Sequence, residues 1–131
     1  MTAFSAGVDI VEIARIKKFL AAHAGRLERI FTPEEIAYCR SSAVQSAARF
    51  AARFAAKEAV WKAAGVAGLA FNAINVKRDE TGRPFVVCAD NRLKNLSFEI
   101  SLSHCGKYAV ASVIAVRKNA ARPKNNRRKP S

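Results

Sequence analysis

The chain has 131 residues, half of them hydrophobic and a quarter charged, with 23 basic against ten acidic residues and a formal net charge of +13. That is the size of one globular domain with a real core, and no run approaches the roughly 18 apolar residues a membrane-spanning helix needs. The three cysteines, Cys39, Cys88 and Cys105, are odd in number and lack CxxC spacing. They argue against a disulfide framework and a zinc site and fit idle thiols in a reducing cytoplasm.

Residues 4–13 are rich in Val and Ile and alternate weakly, which predicts a strand. In it Gly7, Asp9, Val11 and Ile13 share one face, and Val8, Ile10 and Glu12 the other. Asp9, Glu12 and Arg15 fall where a secretion signal would have its apolar centre, so none is read there. A short helix follows over 14–22, broken at Gly25. Thr32-Pro33-Glu34-Glu35 is a helix start, with Thr32 as N-cap, Pro33 in the first turn and Glu35 closing a capping box; that helix runs to about Arg40. The longest periodic segment, 44–65, ends at Gly65 as a C-cap. At the helical period Phe50, Phe54 and Trp61 fall within about 40° of one another, and Ala48, Ala52, Ala56, Ala59 and Ala63 cluster on another side, as expected of a helix packed on two sides.

Strand-like segments then follow at Asn72–Lys77, Pro84–Cys88, Ser97–Ser103 and Tyr108–Val116. Asp79-Glu80-Thr81-Gly82 supplies one turn and His104-Cys105-Gly106-Lys107 another; Gly68 lies in a loop and 89–95 form a helical turn. The fold class is α+β, a long central helix packed on a mostly antiparallel sheet. The domain occupies 1–116. Residues 117–131, RKNAARPKNNRRKPS, hold seven basic residues and no acid, which predicts a disordered basic tail and leaves a net of +6 on the body.

Three features bear on chemistry. Glu58 and Lys62 are four apart and project from one flank of the long helix, either as an ordinary surface pair or as a working pair. Arg49, Arg53 and Lys57 form a basic ladder at the same period, either a solvated face or a phosphate-holding one. Asp9 stands among Val and Ile, where a carboxylate is costly unless it is paired, bound to local backbone or a metal ligand. Two carboxylates with a lysine nearby suit Mg²⁺ on a phosphate substrate. His104, at a strand end after Ser101 and Ser103, suits phosphate contact or proton transfer as well as an ordinary turn. His23 reads as surface.

Taken together, G-x-D-I-x-E-I-x-R-I at 7–16, R-F-A-A-K-E-A-x-x-K at 53–62 and S-L-S-H at 101–104 resemble the family of 4′-phosphopantetheinyl transferases, in its short single-domain branch. F-T-P-E-E at 31–35 and G-R-P-F at 82–85 lie in the right order, and the match spans about 5–116. The resemblance implies transfer of the 4′-phosphopantetheine arm of coenzyme A to a serine of an apo acyl carrier protein, in fatty acid biosynthesis, releasing adenosine 3′,5′-bisphosphate. It implies that Asp9 and Glu58 hold Mg²⁺, that Glu58 is the base and that Lys62 neutralises phosphate charge. By the same resemblance Arg53, Phe54, Lys62, Pro84 and His104 bind coenzyme A. It further implies that Arg15, Arg26 and Arg29 dock the acidic carrier and that the chain forms a homotrimer with interfacial active sites.

Two stretches depart from the family pattern: Cys105-Gly106 after His104, and the short loop GVAGLAFNAI after Gly65. Two alternatives compete. A nucleic-acid-binding module would use the ladder and the tail but leaves Asp9 and Glu58 unexplained, since both would repel a phosphate backbone. An inactive coenzyme A-binding protein would keep the fold without turnover, although every catalytic residue type is present.

Overall fold

The computed structural model describes residues 3–118. The chain runs β1 (Phe4–Glu12), α1 (Ile13–Ala22), α2 (Pro33–Arg40), α3 (Ser46–Ala64), β2 (Ile74–Arg78), β3 (Pro84–Cys88), β4 (Leu96–His104) and β5 (Tyr108–Arg117). The expected α+β architecture is present, but its strands divide into two antiparallel sheets, β1–β5–β4 and β2–β3. The helical turn Asn91–Leu93, with Leu93 buried in the core, stands between β3 and β4.

Local signals set the helix ends. Thr32 Oγ1 accepts from the Glu35 N–H at 3.1 Å and Glu35 Oε1 accepts from the Thr32 N–H at 2.9 Å, closing the capping box that starts α2. Gly65 takes a left-handed φ of 68° and ends α3 one residue past Ala64. The strand expected from Asn72 begins instead at Ile74, because Phe71–Ala73 form a helical turn whose Phe71 carbonyl is held by Lys57.

The alanines of α3 decide the packing. Ala55, Ala56, Ala59 and Ala63 are buried against the inner face of the three-stranded sheet, where Ala111, Val113 and Ala115 point inward from β5. Small side chains on both layers let helix and sheet approach closely, so contact area replaces side-chain bulk. A second cluster joins α1 to α3 through Ile16, Leu27, Phe31 and Phe50, with the Phe31 and Phe50 rings edge-on at 4.9 Å.

The opposite face of the three-stranded sheet is also apolar yet uncovered. Phe4, Val8 and Ile10 on β1 and Ile114 and Val116 on β5 are all exposed, with Phe4 opposite Val116 and Ala6 opposite Ile114. At the far end β5 reaches Arg117, and the Lys118 N–H donates to the Asn95 carbonyl at 2.7 Å. The rest of the expected tail, 119–131, lies outside the described residues.

Candidate active site

On β1 the inward positions are Ser5, Gly7, Asp9 and Val11, while Glu12 is exposed on the other face. Gly7 is the point of contact with α3. A Cβ built there would lie 2.1 Å from the Ala59 carbonyl oxygen and 3.0 Å from the Ala63 nitrogen, so only glycine fits. Ser5 Oγ, on the same face, donates to the Ala63 carbonyl at 2.5 Å.

This close approach brings Asp9 to the C-terminal half of α3. Lys62 Nζ donates to the Val8 carbonyl at 2.9 Å and stands 3.3 Å from Asp9 Oδ1. Glu58, one turn earlier on the same flank, has its pKa raised from its ordinary value. Partial burial is the main cause and repulsion from Asp9 the second, with Lys62 opposing both. Two mutually repelling carboxylates beside a half-exposed lysine attract a cation and, through it, a phosphate. Among the described residues no cluster of three or more His, Cys, Asp or Glu side chains exists.

The second assembly lies elsewhere. A cavity of about 610 Å³ is lined by Arg49, Arg53, Arg78, Arg83, Pro84 and His104, together with Tyr38 and part of β4, and none of its lining residues is acidic. It unites Arg53, Pro84 and His104, three of the residues expected to bind coenzyme A. It does not include the other two. Lys62 is nine positions from Arg53, about half a turn round α3, and faces Asp9. Phe54 lines a separate, mostly apolar groove with Ile10, Arg15, Phe19 and Tyr108. Arg15, Arg26 and Arg29 are exposed, as a docking surface requires.

The basic ladder is not a solvated face. Lys57 is fully buried, pairs with Glu35 Oε1 at 2.8 Å, and donates to the Phe71 carbonyl at 2.9 Å and to the Ile74 carbonyl. Burial lowers its pKa while Glu35 raises it, and burial prevails. Glu35 also accepts from the Val76 N–H at 2.6 Å, so one carboxylate ties the start of α2 to α3 and to β2. Arg53 is only 5% exposed, and burial likewise lowers its pKa. A ladder buried at two of three rungs offers no track for a nucleic-acid backbone, which removes the ladder as a support for that alternative. The signal for Lys57 was in the sequence: it falls on the Phe50–Phe54–Trp61 stripe, where a charge must find a buried partner.

Sequence reasoning missed Tyr38 and Arg78. They sit 40 residues apart, on α2 and the end of β2, elements joined by the Glu35 carboxylate and by Thr32–Asn75 and Glu34–Asn75 hydrogen bonds; Arg78 Nη1 donates to the Tyr38 hydroxyl at 2.9 Å. Cys39, in the second core cluster, is buried and its thiol is pushed up to about 12, so it is no nucleophile.

The sequence and the fold are similar to those of known proteins. A holo-(acyl-carrier-protein) synthase of Moorella thermoacetica is 44% identical over 116 residues, covering 81% of this chain and 88% of that protein. One from Geobacter sulfurreducens is 40% identical over 124 residues, covering 87% and 98%. Among solved structures, the holo-(acyl-carrier-protein) synthase of Bacillus anthracis in complex with CoA (3′,5′-ADP) is 31% identical and superposes with a TM-score of 0.75, covering 87% of this chain and 96% of that one. The Helicobacter pylori enzyme in complex with coenzyme A is also 31% identical, with a TM-score of 0.74 and coverage of 84% and 98%. The family model of the 4′-phosphopantetheinyl transferase superfamily matches residues 5–113, and the chain belongs to that superfamily.

Proposed function

We propose that this protein is a holo-(acyl-carrier-protein) synthase. It transfers the 4′-phosphopantetheine arm of coenzyme A to a serine of apo acyl carrier protein, in the cytoplasm and in service of fatty acid biosynthesis. The carrying observation is the convergence of Asp9, Glu58 and Lys62 where β1 touches α3 at Gly7. Among the described residues no helix is long and apolar enough to cross a membrane.

The serine oxygen attacks the β-phosphorus of the coenzyme A pyrophosphate; its bond to phosphorus forms as the bond to the bridging oxygen breaks, and adenosine 3′,5′-bisphosphate departs. Glu58 takes the serine proton, directly or through a water, and its raised pKa brings its basicity closer to working pH. Lys62, held at Asp9 and the Val8 carbonyl, sets a positive charge where negative charge builds on the phosphates. Asp9 and Glu58 fit Mg²⁺, because a cation relieves the repulsion between them. When bound, Mg²⁺ would neutralise pyrophosphate charge. Arg53, Pro84 and His104 receive the nucleotide end, and Arg15, Arg26 and Arg29 meet the acidic carrier.

Asp9, Glu58 and Lys62 lie on the flank of α3 opposite Arg53, so one chain does not present both halves to one ligand. A homotrimer in which one protomer offers the Asp9 half and its neighbour the Arg53 half accounts for this. The uncovered face of Phe4, Val8, Ile10 and Ile114 is apolar surface for such an assembly.

The test incubates purified protein with Mg²⁺, coenzyme A and apo acyl carrier protein and follows the carrier's intact mass. Gain of one phosphopantetheine arm is expected, abolished by Asp9→Ala and by Glu58→Ala while the assembly stays folded. No gain with several carrier types, or full activity in Glu58→Ala, would refute the reading.

A further inference from the structure

Tyr38 occupies an unusual place in the arginine-lined cavity. Its ring lies under three guanidinium groups, with the Cζ of Arg49 at 4.2 Å, of Arg53 at 4.5 Å and of Arg78 at 5.0 Å from the ring centroid. The three arginines come from different places in the chain, two from α3 and one from β2, and like charges this close repel. Three hydrogen bonds fix two of them. Arg49 Nη1 donates to the Tyr38 carbonyl and to Ser41 Oγ, both at 3.0 Å, and Arg78 donates to the Tyr38 hydroxyl. The electron-rich ring face partly offsets the mutual repulsion, an effect that strengthens as water is excluded.

Arg53 adds a second, independent observation. It is 95% buried by its 5% exposure, and its Nε has no hydrogen-bond acceptor. A buried guanidinium left partly unpaired in a cavity without acids is costly unless an anion completes it. Guanidinium groups match a phosphate monoester in fork geometry and in charge.

We infer that Tyr38 is a positioning residue that gathers Arg49, Arg53 and Arg78 into one cradle for a phosphate monoester, and so sets selectivity for coenzyme A over its 3′-dephospho form. This rests on the transferase reading above, since the 3′-phosphate is the monoester that substrate carries. Pro84 and His104 line the same cavity beside the cradle. Tyr38 touches no reacting atom. Its effect falls on how well three side chains are held before the ligand arrives.

The experiment compares coenzyme A and 3′-dephospho-coenzyme A as donors, reading kcat/KM from carrier mass in wild type, Tyr38→Leu and Tyr38→Phe. Wild type is expected to prefer coenzyme A by about 10- to 100-fold, the worth of charged hydrogen bonds to one phosphate. Tyr38→Leu removes the ring and should cut that preference to below about five-fold, chiefly through KM for coenzyme A. Tyr38→Phe keeps the ring and loses one hydrogen bond, and should stay within about five-fold of the wild-type ratio. If Tyr38→Leu does not fold, Arg78→Gln, which leaves the ring in place, must lower the same ratio. An unchanged ratio in Tyr38→Leu, or a wild type that accepts both donors equally, overturns the cradle while leaving the transferase reading intact. Complete displacement of coenzyme A by equimolar inorganic phosphate would make this a free-phosphate site and overturn it too. Failure of wild type to modify any carrier is the separate outcome that sinks the transferase reading itself.

Discussion

Lys62 reaches across from α3 to stand 3.3 Å from Asp9, a residue 53 positions earlier, and donates in passing to the Val8 carbonyl. Its side chain is half exposed, so the ion pair contributes little to folding, about 0–1 kcal/mol. Lys62→Ala should therefore leave the melting temperature nearly unchanged while lowering kcat by about 10²–10³-fold. Differential scanning calorimetry beside the carrier mass assay separates the two effects; a large loss of stability with intact turnover would assign the lysine to the fold.

Glu58 makes the opposite trade. Its folded pKa is raised, so the native state holds a proton that the unfolded chain, near the ordinary 4.5, gives up. Stability is then lost as pH rises from about that ordinary value through the raised one, and stays lost above it. Glu58→Gln removes this dependence. The variant should melt about 1–3 °C above wild type at neutral pH, with the gap closing towards pH 4, while catalysis disappears. Melts across pH 4–8 test it, and a variant less stable than wild type at pH 7.5 would contradict it.

Gly7→Ala places a methyl carbon 2.1 Å from the Ala59 carbonyl, where the clash is with helix backbone and not with a side-chain tip. The strand must move away from α3, at a cost of about 1–3 kcal/mol or more. Asp9, two residues on, moves with it. Activity should fall by more than the unfolded fraction explains, measured well below the variant's own melting temperature.

Lys57→Met strands the Glu35 carboxylate in the core. The expected loss is about 3–5 kcal/mol, the usual result of removing one partner from a buried pair. Adding Glu35→Gln to Lys57→Met should recover part of that loss, since the amide carries no charge. Denaturant titration of the two singles and the double gives the coupling; strict additivity would mean the pair is not the source of the loss.

Reversing charge at Arg15 and Arg26 tests the docking surface. Both side chains are exposed, so folding should hold while KM for an acidic carrier rises about ten-fold or more and kcat stays level. Added salt should weaken wild type towards the variant.

The α+β class, the capping box at Thr32–Glu35, the end of α3 at Gly65 and the inward face of Asp9 were legible because each is written in local chemistry or in a short period. Division of the strands into two sheets was not, since the alternation that marks a strand does not say which neighbour it pairs with. The Glu35–Lys57 tie was half visible. Glu35 was identified as a cap, and its second role across 22 residues needed the fold. Tyr38 and Arg78 carry no signal in spacing, because their neighbourhood is made by elements that touch only in three dimensions. Composite chemistry of this kind escapes periodicity for that reason.

At Gly7 the strand meets the helix with no side chain between them, and the facing residues of α3 are Ala59 and Ala63. The separation of the two carboxylates is thereby a property of main chain against main chain. Drift in the larger core residues, such as Phe31 or Leu27, can repack the far side of the molecule without altering that spacing. The geometry of the proposed site is insulated from most of the protein's own sequence change, and it is exposed at a single hydrogen atom.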